Sequence, residues 1–254
     1  MNFPNPNLND FEDELQILVL FITTQILGLL TAYRLRFRDL SSTPVSSGSA
    51  PWIMIAVVGL SALLIGYIYR NKMYGAADLW IYTVYALSSF IVFDSFLGIE
   101  ATMLLVAALL MTTHFSESDI VVSAMLAVCF AGAAAIMGIV LTVQNAAIFM
   151  ILYMIYDVIA VKGGFMGSLI QETDRSSFPG FKIGSRVLGG GDAIVPLIFA
   201  ITVLEYGLQT SALTAGGSFF GLLALKAVIW KKIVPAAPFM CIGAFLGFAF
   251  SLLI

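Results

Sequence analysis

Charge is scarce in this chain. Only 11% of its 254 residues are Asp, Glu, Lys or Arg, against about 25% in a soluble domain. A soluble chain of this length could bury one sizeable core but could not coat it with so few charges. Histidine is nearly absent as well, with a single residue, His114, and there are only two cysteines. Cys129 and Cys241 each sit alone inside an apolar run, so both read as small buried side chains. Neither a metal site nor a disulfide finds partners. No metal and no cofactor are expected. A net charge of −3 and a pI near 5.0 leave no basic footprint for nucleic acid. The polar, acidic stretch Met1–Glu14 has no basic n-region, so no cleavable signal peptide is expected. What the chain does have is apolar residues, 60% of the total, with a mean hydropathy of +1.00. Lipid must be its solvent.

A spanning helix needs about 20 largely apolar residues. Applied along the chain, this predicts an all-α, polytopic membrane protein of about nine transmembrane helices in one integral membrane domain, 1–254. The helices are expected at about 15–36, 51–69, 78–96, 99–115, 119–142, 146–162, 191–205, 211–230 and 235–254. The charge-free run Ile120–Tyr156 is too long for one span and is divided at its polar middle, Thr142, Gln144 and Asn145. A loop rich in Gly, Ser and charge, 163–188, carries the turn signal Phe178-Pro179-Gly180. Gly217/Gly221 and Gly243/Gly247 have the spacing that lets membrane helices approach closely. Nine spans put the termini on opposite sides. One face then collects Arg70, Lys72, Lys162, Arg175, Lys182, Arg186, Lys226, Lys231 and Lys232, and the other only Arg34, Arg36 and Arg38. The positive-inside rule therefore predicts a cytoplasmic N-terminus and an external C-terminus.

An ionisable side chain deep in a span costs about 2.5–3.5 kcal/mol on insertion scales and is functional by default. Asp78, Asp94, Glu100, Asp119 and Glu205 escape that argument, because they lie near helix ends where water or headgroups reach them. His114 is interfacial. Asp157 is different. It has apolar neighbours on both sides and lies about 7–8 Å along the helix from Lys162. Asp192 follows Gly189-Gly190-Gly191 and opens the seventh span from the same face. The glycines let the backbone bend sharply or come close to another segment. Alone, Asp192 also reads as an acid complementing a helix dipole. Together the two acids sit at similar depth, where they cannot both ionise comfortably and titrate as a pair. Aspartic proteases use such a pair, one carboxylate activating water while its protonated partner polarises the scissile carbonyl. Cation and proton sites use paired intramembrane carboxylates too.

Tyr156-Asp157 in the sixth span, Gly189-Gly190-Gly191-Asp192 at the seventh and Pro235-Ala236-Ala237-Pro238 at the ninth resemble the Y-D, G-x-G-D and P-A-L motifs of the presenilin and signal peptide peptidase family of intramembrane aspartyl proteases. The resemblance extends to the nine-span layout and so covers nearly the whole chain. It implies that Asp157 and Asp192 are the catalytic pair. Tyr156, Gly189, Gly190, Gly191, Pro235, Ala236, Ala237 and Pro238 would then shape the site. The chain departs from the pattern at Ala237, where the family has Leu, and this leaves a smaller side chain beside the aspartates. The inferred orientation and the short 163–188 loop make it more similar to compact microbial, archaeal-type presenilin homologues than to eukaryotic presenilins, which work within γ-secretase. The implied partners are transmembrane-helix protein substrates and the bilayer, with no nucleic acid, and the implied location is a prokaryotic plasma membrane. A helical substrate must unwind to be cut, and its freed backbone must be satisfied inside the membrane. Either 163–188 or the stretch around Pro235 is expected to receive it as an added strand. Two other readings remain: a prepilin-type peptidase, which shares the G-x-G-D aspartate, and a cation or proton transporter using the same carboxylates. Transport would predict broken helices repeated in both halves, and residues 1–130 show no repeat of the Tyr156–Asp192 region.

Overall fold

Long apolar runs form helices here because a backbone in lipid must satisfy its own hydrogen bonds. The computed structural model describes residues 8–37, 51–56, 60–61, 67, 74–162, 180–184, 186–228 and 235–254. Its helices are α1 (Leu8–Phe37), the stretch 51–56 (α2), α3 (Tyr74–Phe96), α4 (Ile99–Phe115), α5 (Asp119–Val140) and α6 (Val143–Lys162). After them come α7 (Gly190–Thr202), α8 (Leu208–Val228) and α9 (Ala237–Ser251). Much of the expected second span, most of the loop 163–188, and Arg38, Arg70, Lys72, Arg175, Lys231 and Lys232 lie outside the described residues.

The protein is an integral, multi-pass membrane protein of all-α class with nine helices among the described residues, but these do not clearly give nine full spans. Among the described residues, five helices are long and apolar enough to cross a membrane: α1, α3, α5, α6 and α8. Helices α4 and α9 are apolar but have only 17 and 15 residues, and α7 has 13. At 1.5 Å per residue α7 covers about 20 Å of a hydrocarbon core about 30 Å thick. Its ends are completed by other backbone. A two-stranded antiparallel hairpin, β1 (Gly180–Ile183) and β2 (Arg186–Gly189), leads directly into it, and a 3₁₀ turn, Val203–Tyr206, follows. Non-helical backbone at membrane depth is tolerated only inside protein or beside water. Helix α7 is accordingly enclosed, packed by α1, α5, α6, α8 and α9.

Helix α5 is the other central element. Its buried small residues, among them Ala127, Ala131, Gly132, Ala134, Ala135 and Gly138, let α1, α3 and α7 pack against it. Helices α8 and α9 form the most extensive pair. A Cβ built on Gly217 would strike the Gly243 carbonyl, and one on Gly243 the Gly217 carbonyl, so the two small-residue motifs face each other. At one end of the bundle, Glu14 of α1 pairs with Lys226 of α8 at 3.1 Å. There too the hairpin turn at Gly184, with φ of 55°, lies against the Asp13 carboxylate. The hairpin is seated by Phe181, fully buried with its ring 5.3 Å from that of Phe130 on α5.

Candidate active site

Helix α6 buries Ala146, Phe149, Met150, Tyr153, Asp157 and Ala160, a stripe at three- and four-residue spacing. Ile151, Ile155 and Ile159 are exposed on its other side. Asp157 therefore faces inward with the core residues. Its Oδ2 accepts the Ala237 backbone N–H at 3.1 Å. Ala236 is the N-cap residue of α9, and Pro238 lies in the first turn. The first N–H groups of a helix have no partner within it. Asp157, from a different helix, supplies one here and places its negative charge at the favourable end of the dipole.

Asp192 is the third residue of α7, whose N-cap is Gly189. Its carboxylate folds back over Gly189, where a Cβ would meet Oδ2 at 2.9 Å, the position of the acid in a capping box. Oδ1 of Asp192 is buried with no hydrogen-bond partner among the described residues. Gly191, the residue before Asp192, lies against Tyr153, one turn before Asp157 on the same face of α6, so the buried acids face the same region between α6 and α7. Pro196 lies inside α7 and has no N–H, so the Asp192 carbonyl loses its helical donor. The next carbonyl, that of Ala193, accepts Nε2 of buried Gln25 on α1 at 3.0 Å.

The remaining residues singled out by motif fall around this pair. Gly189 ends β2, and Gly190 and Gly191 form the first turn of α7. A Cβ on Gly191 would run into the Tyr153 hydroxyl, which gives that glycine a steric reason to be there. Pro235 and Pro238 are half-buried, and Ala236 is buried. Ala237 is fully buried and meets Asp157 through its backbone. Tyr156 is half-buried, its ring 5.9 Å from that of Tyr153.

Three neighbours of the pair escaped the sequence reading. Tyr153 stands one turn before Asp157 on the same face, and its hydroxyl lies against Gly191, the residue before Asp192. Cys241, one turn after Ala237 on α9, is fully buried. Spacing of four from a motif residue was the available signal for each. The third, Gln25, had only the weaker signal of a polar side chain in an apolar run. The hairpin was missed too, although Gly184-Ser185 between two short runs is a hairpin signature.

Ser123 of α5 holds β1 at its middle. Its Oγ accepts the Lys182 N–H at 3.2 Å and donates to the Lys182 carbonyl at 3.3 Å. Lys182 pairs with Val187 across the hairpin. With both Lys182 backbone groups turned toward α5, this is a non-hydrogen-bonded pair, so the Val187 N–H and carbonyl point to the opposite edge.

No protein-family model and no curated protein matches the chain. Solved structures do. A presenilin family intramembrane aspartate protease in a C222 crystal form superposes with a TM-score of 0.72 at 19% identity, over 96% of this chain and 100% of that one. A presenilin family intramembrane aspartate protease in a P2 form gives 0.73 at 19%, over 94% and 98%. The chain shares that fold across most of its length.

Proposed function

We propose that the protein is an intramembrane-cleaving aspartyl protease in which Asp157 and Asp192 act together as general acid and base. The observation that carries this reading is two buried carboxylates from different helices facing the same region, Asp157 bound by the Ala237 N–H at the start of α9 and Asp192 set beside Gly191, which lies against Tyr153 of α6. The shared fold supports it. In the proposed reaction the ionised member of the pair takes a proton from water, and the water oxygen bonds to the scissile carbonyl carbon. The protonated member gives its proton to the carbonyl oxygen. The resulting gem-diol collapses as the C–N bond breaks. The leaving nitrogen takes up a proton and the carboxyl product forms. No metal or cofactor enters this scheme.

Substrates would be transmembrane helices unwound around the scissile bond. Of the two stretches expected to receive them, the one around Pro235 already gives the Ala237 N–H to Asp157. The hairpin is the better receiver. Its β1 edge is taken by Ser123, so a substrate strand would add at the outer edge of β2, beside Val187 and a few residues before Asp192. Transport through the same carboxylates would call for broken helices in both halves. The non-helical backbone described next to Asp192, 180–184 and 186–189, lies in the second half.

The test is cleavage of a single-span substrate by the purified chain in detergent beside Asp157→Asn and Asp192→Asn. Cutting within the span that each substitution abolishes is expected. Cutting that survives both would end the reading.

A further inference from the structure

Buried hydroxyls on a helix usually bond back to a carbonyl one turn earlier. Thr24, Ser89, Thr113 and Thr214 all do so here, at 2.7–2.8 Å. Ser123 does not. It is 1% exposed and sits on the core side of α5. Its hydroxyl donates to one backbone atom of β1 and accepts from another, both on Lys182. Those are the two atoms through which a neighbouring strand would pair with β1 at this position. The side chain thus takes the place of a strand.

We propose that Ser123 is a positioning residue that sets where the substrate is cut. The proposal rests on the protease reading above. Three consequences of the geometry lead to it. First, the hydroxyl closes the β1 edge, which prevents an incoming strand from pairing on the side away from the aspartates. Second, it ties the hairpin to α5, and α5 packs against α7, the helix that carries Asp192. The receiving edge and the acid are then held by one frame. Third, strand pairing is quantised. A slip of one residue moves the substrate by about 3.3 Å and turns every side chain to the opposite face. A hairpin free to shift against α5 would therefore present neighbouring peptide bonds to the aspartates.

Without the hydroxyl, burial of Phe181 against Phe130 still seats the hairpin. Ser123→Ala should therefore fold but lose its register. The experiment compares the unaltered chain, Ser123→Ala and Ser123→Thr on one single-span substrate, with products located by mass spectrometry. Hydrogen exchange at the Lys182 amide is measured in parallel. The expected result is a spread of cut sites to adjacent bonds in Ser123→Ala, with exchange at Lys182 faster by about tenfold. Ser123→Thr, which keeps the hydroxyl, should restore both. If the unaltered chain cuts and the product ladder of Ser123→Ala is unchanged, the proposal is overturned alone. Failure of Ser123→Thr to restore the pattern would overturn it as well, since packing rather than the hydrogen bonds would then be responsible. If the unaltered chain cuts nothing, the proposed function falls and takes this proposal with it.

Discussion

Helices α4 and α7 are both apolar and both short, of 17 and 13 residues. In α4 only Thr102, Leu109 and Thr113 are buried, while Met103, Leu104, Leu105, Met111 and Phe115 lie on the surface. In α7 eleven residues are buried, among them Asp192, Pro196 and Thr202. The same apolar composition is exposed in one helix and enclosed by protein in the other. Hydropathy cannot separate the two, because lipid tails and a protein core are equally apolar. What distinguishes α7 is its glycines and proline, together with an acid that is buried where Glu100 of α4 is exposed; lipid would penalise these and an enclosing protein can satisfy them.

The sharpest way to break this comparison is at the acids. Asp192→Asn and Asp157→Asn are each expected to lower proteolysis by about 10²–10⁴-fold, the usual contribution of a general acid or base, with thermal unfolding little changed. Near-normal turnover in either variant would place the chemistry elsewhere. Next comes the packing of α7. Leu197 is fully buried, and a Cβ on Gly28 of α1 would meet it at 2.6 Å. Leu197→Ala should destabilise by about 2–5 kcal/mol, read as a lower unfolding midpoint in detergent. Gly191→Ala should cost about 1–3 kcal/mol by overpacking against Tyr153, with a matching loss of activity. Tyr153→Phe removes the nearest clashing atom, so the double variant should recover part of that loss; strict additivity would show that the two residues do not touch. The smallest effect belongs to α4. Leu104 is 75% exposed, and Leu104→Ala should stay within about 0.5 kcal/mol. A loss there as large as at Leu197 would mean that α4 is covered by protein.

Much of the architecture was legible in the chain. Charge-free runs mark helices because lipid offers the backbone no partners, and the break near Thr142 is visible because Thr142 and Asn145 are polar. Thr142 indeed accepts the Asn145 N–H at 3.3 Å through its hydroxyl. The number of full spans was less legible. A short helix continued by a hairpin or a 3₁₀ turn has the same hydropathy as a complete one, and α7 is that case. At the candidate site, Asp157 and Asp192 stood out because an acid in an apolar run is expensive. Tyr153 and Cys241 did not, since tyrosine and cysteine on an apolar face are ordinary. Ser123 was equally silent, one hydroxyl among many whose unusual partner lies on β1.

The sequence by itself determined the solvent and the kind of secondary structure, and it marked the residues too costly to be there without a purpose. Each of these follows from local composition, which a window of residues is enough to read. Only the tertiary structure decided what those residues meet. Asp157 is held by the N-terminus of α9, and Ser123 closes one edge of the hairpin. These contacts join distant parts of the chain, and they depend on how the helices cross. Crossing is set by the summed packing of many small residues; the Gly217/Gly221 and Gly243/Gly247 spacings signal a close approach, but not that these two motifs face each other.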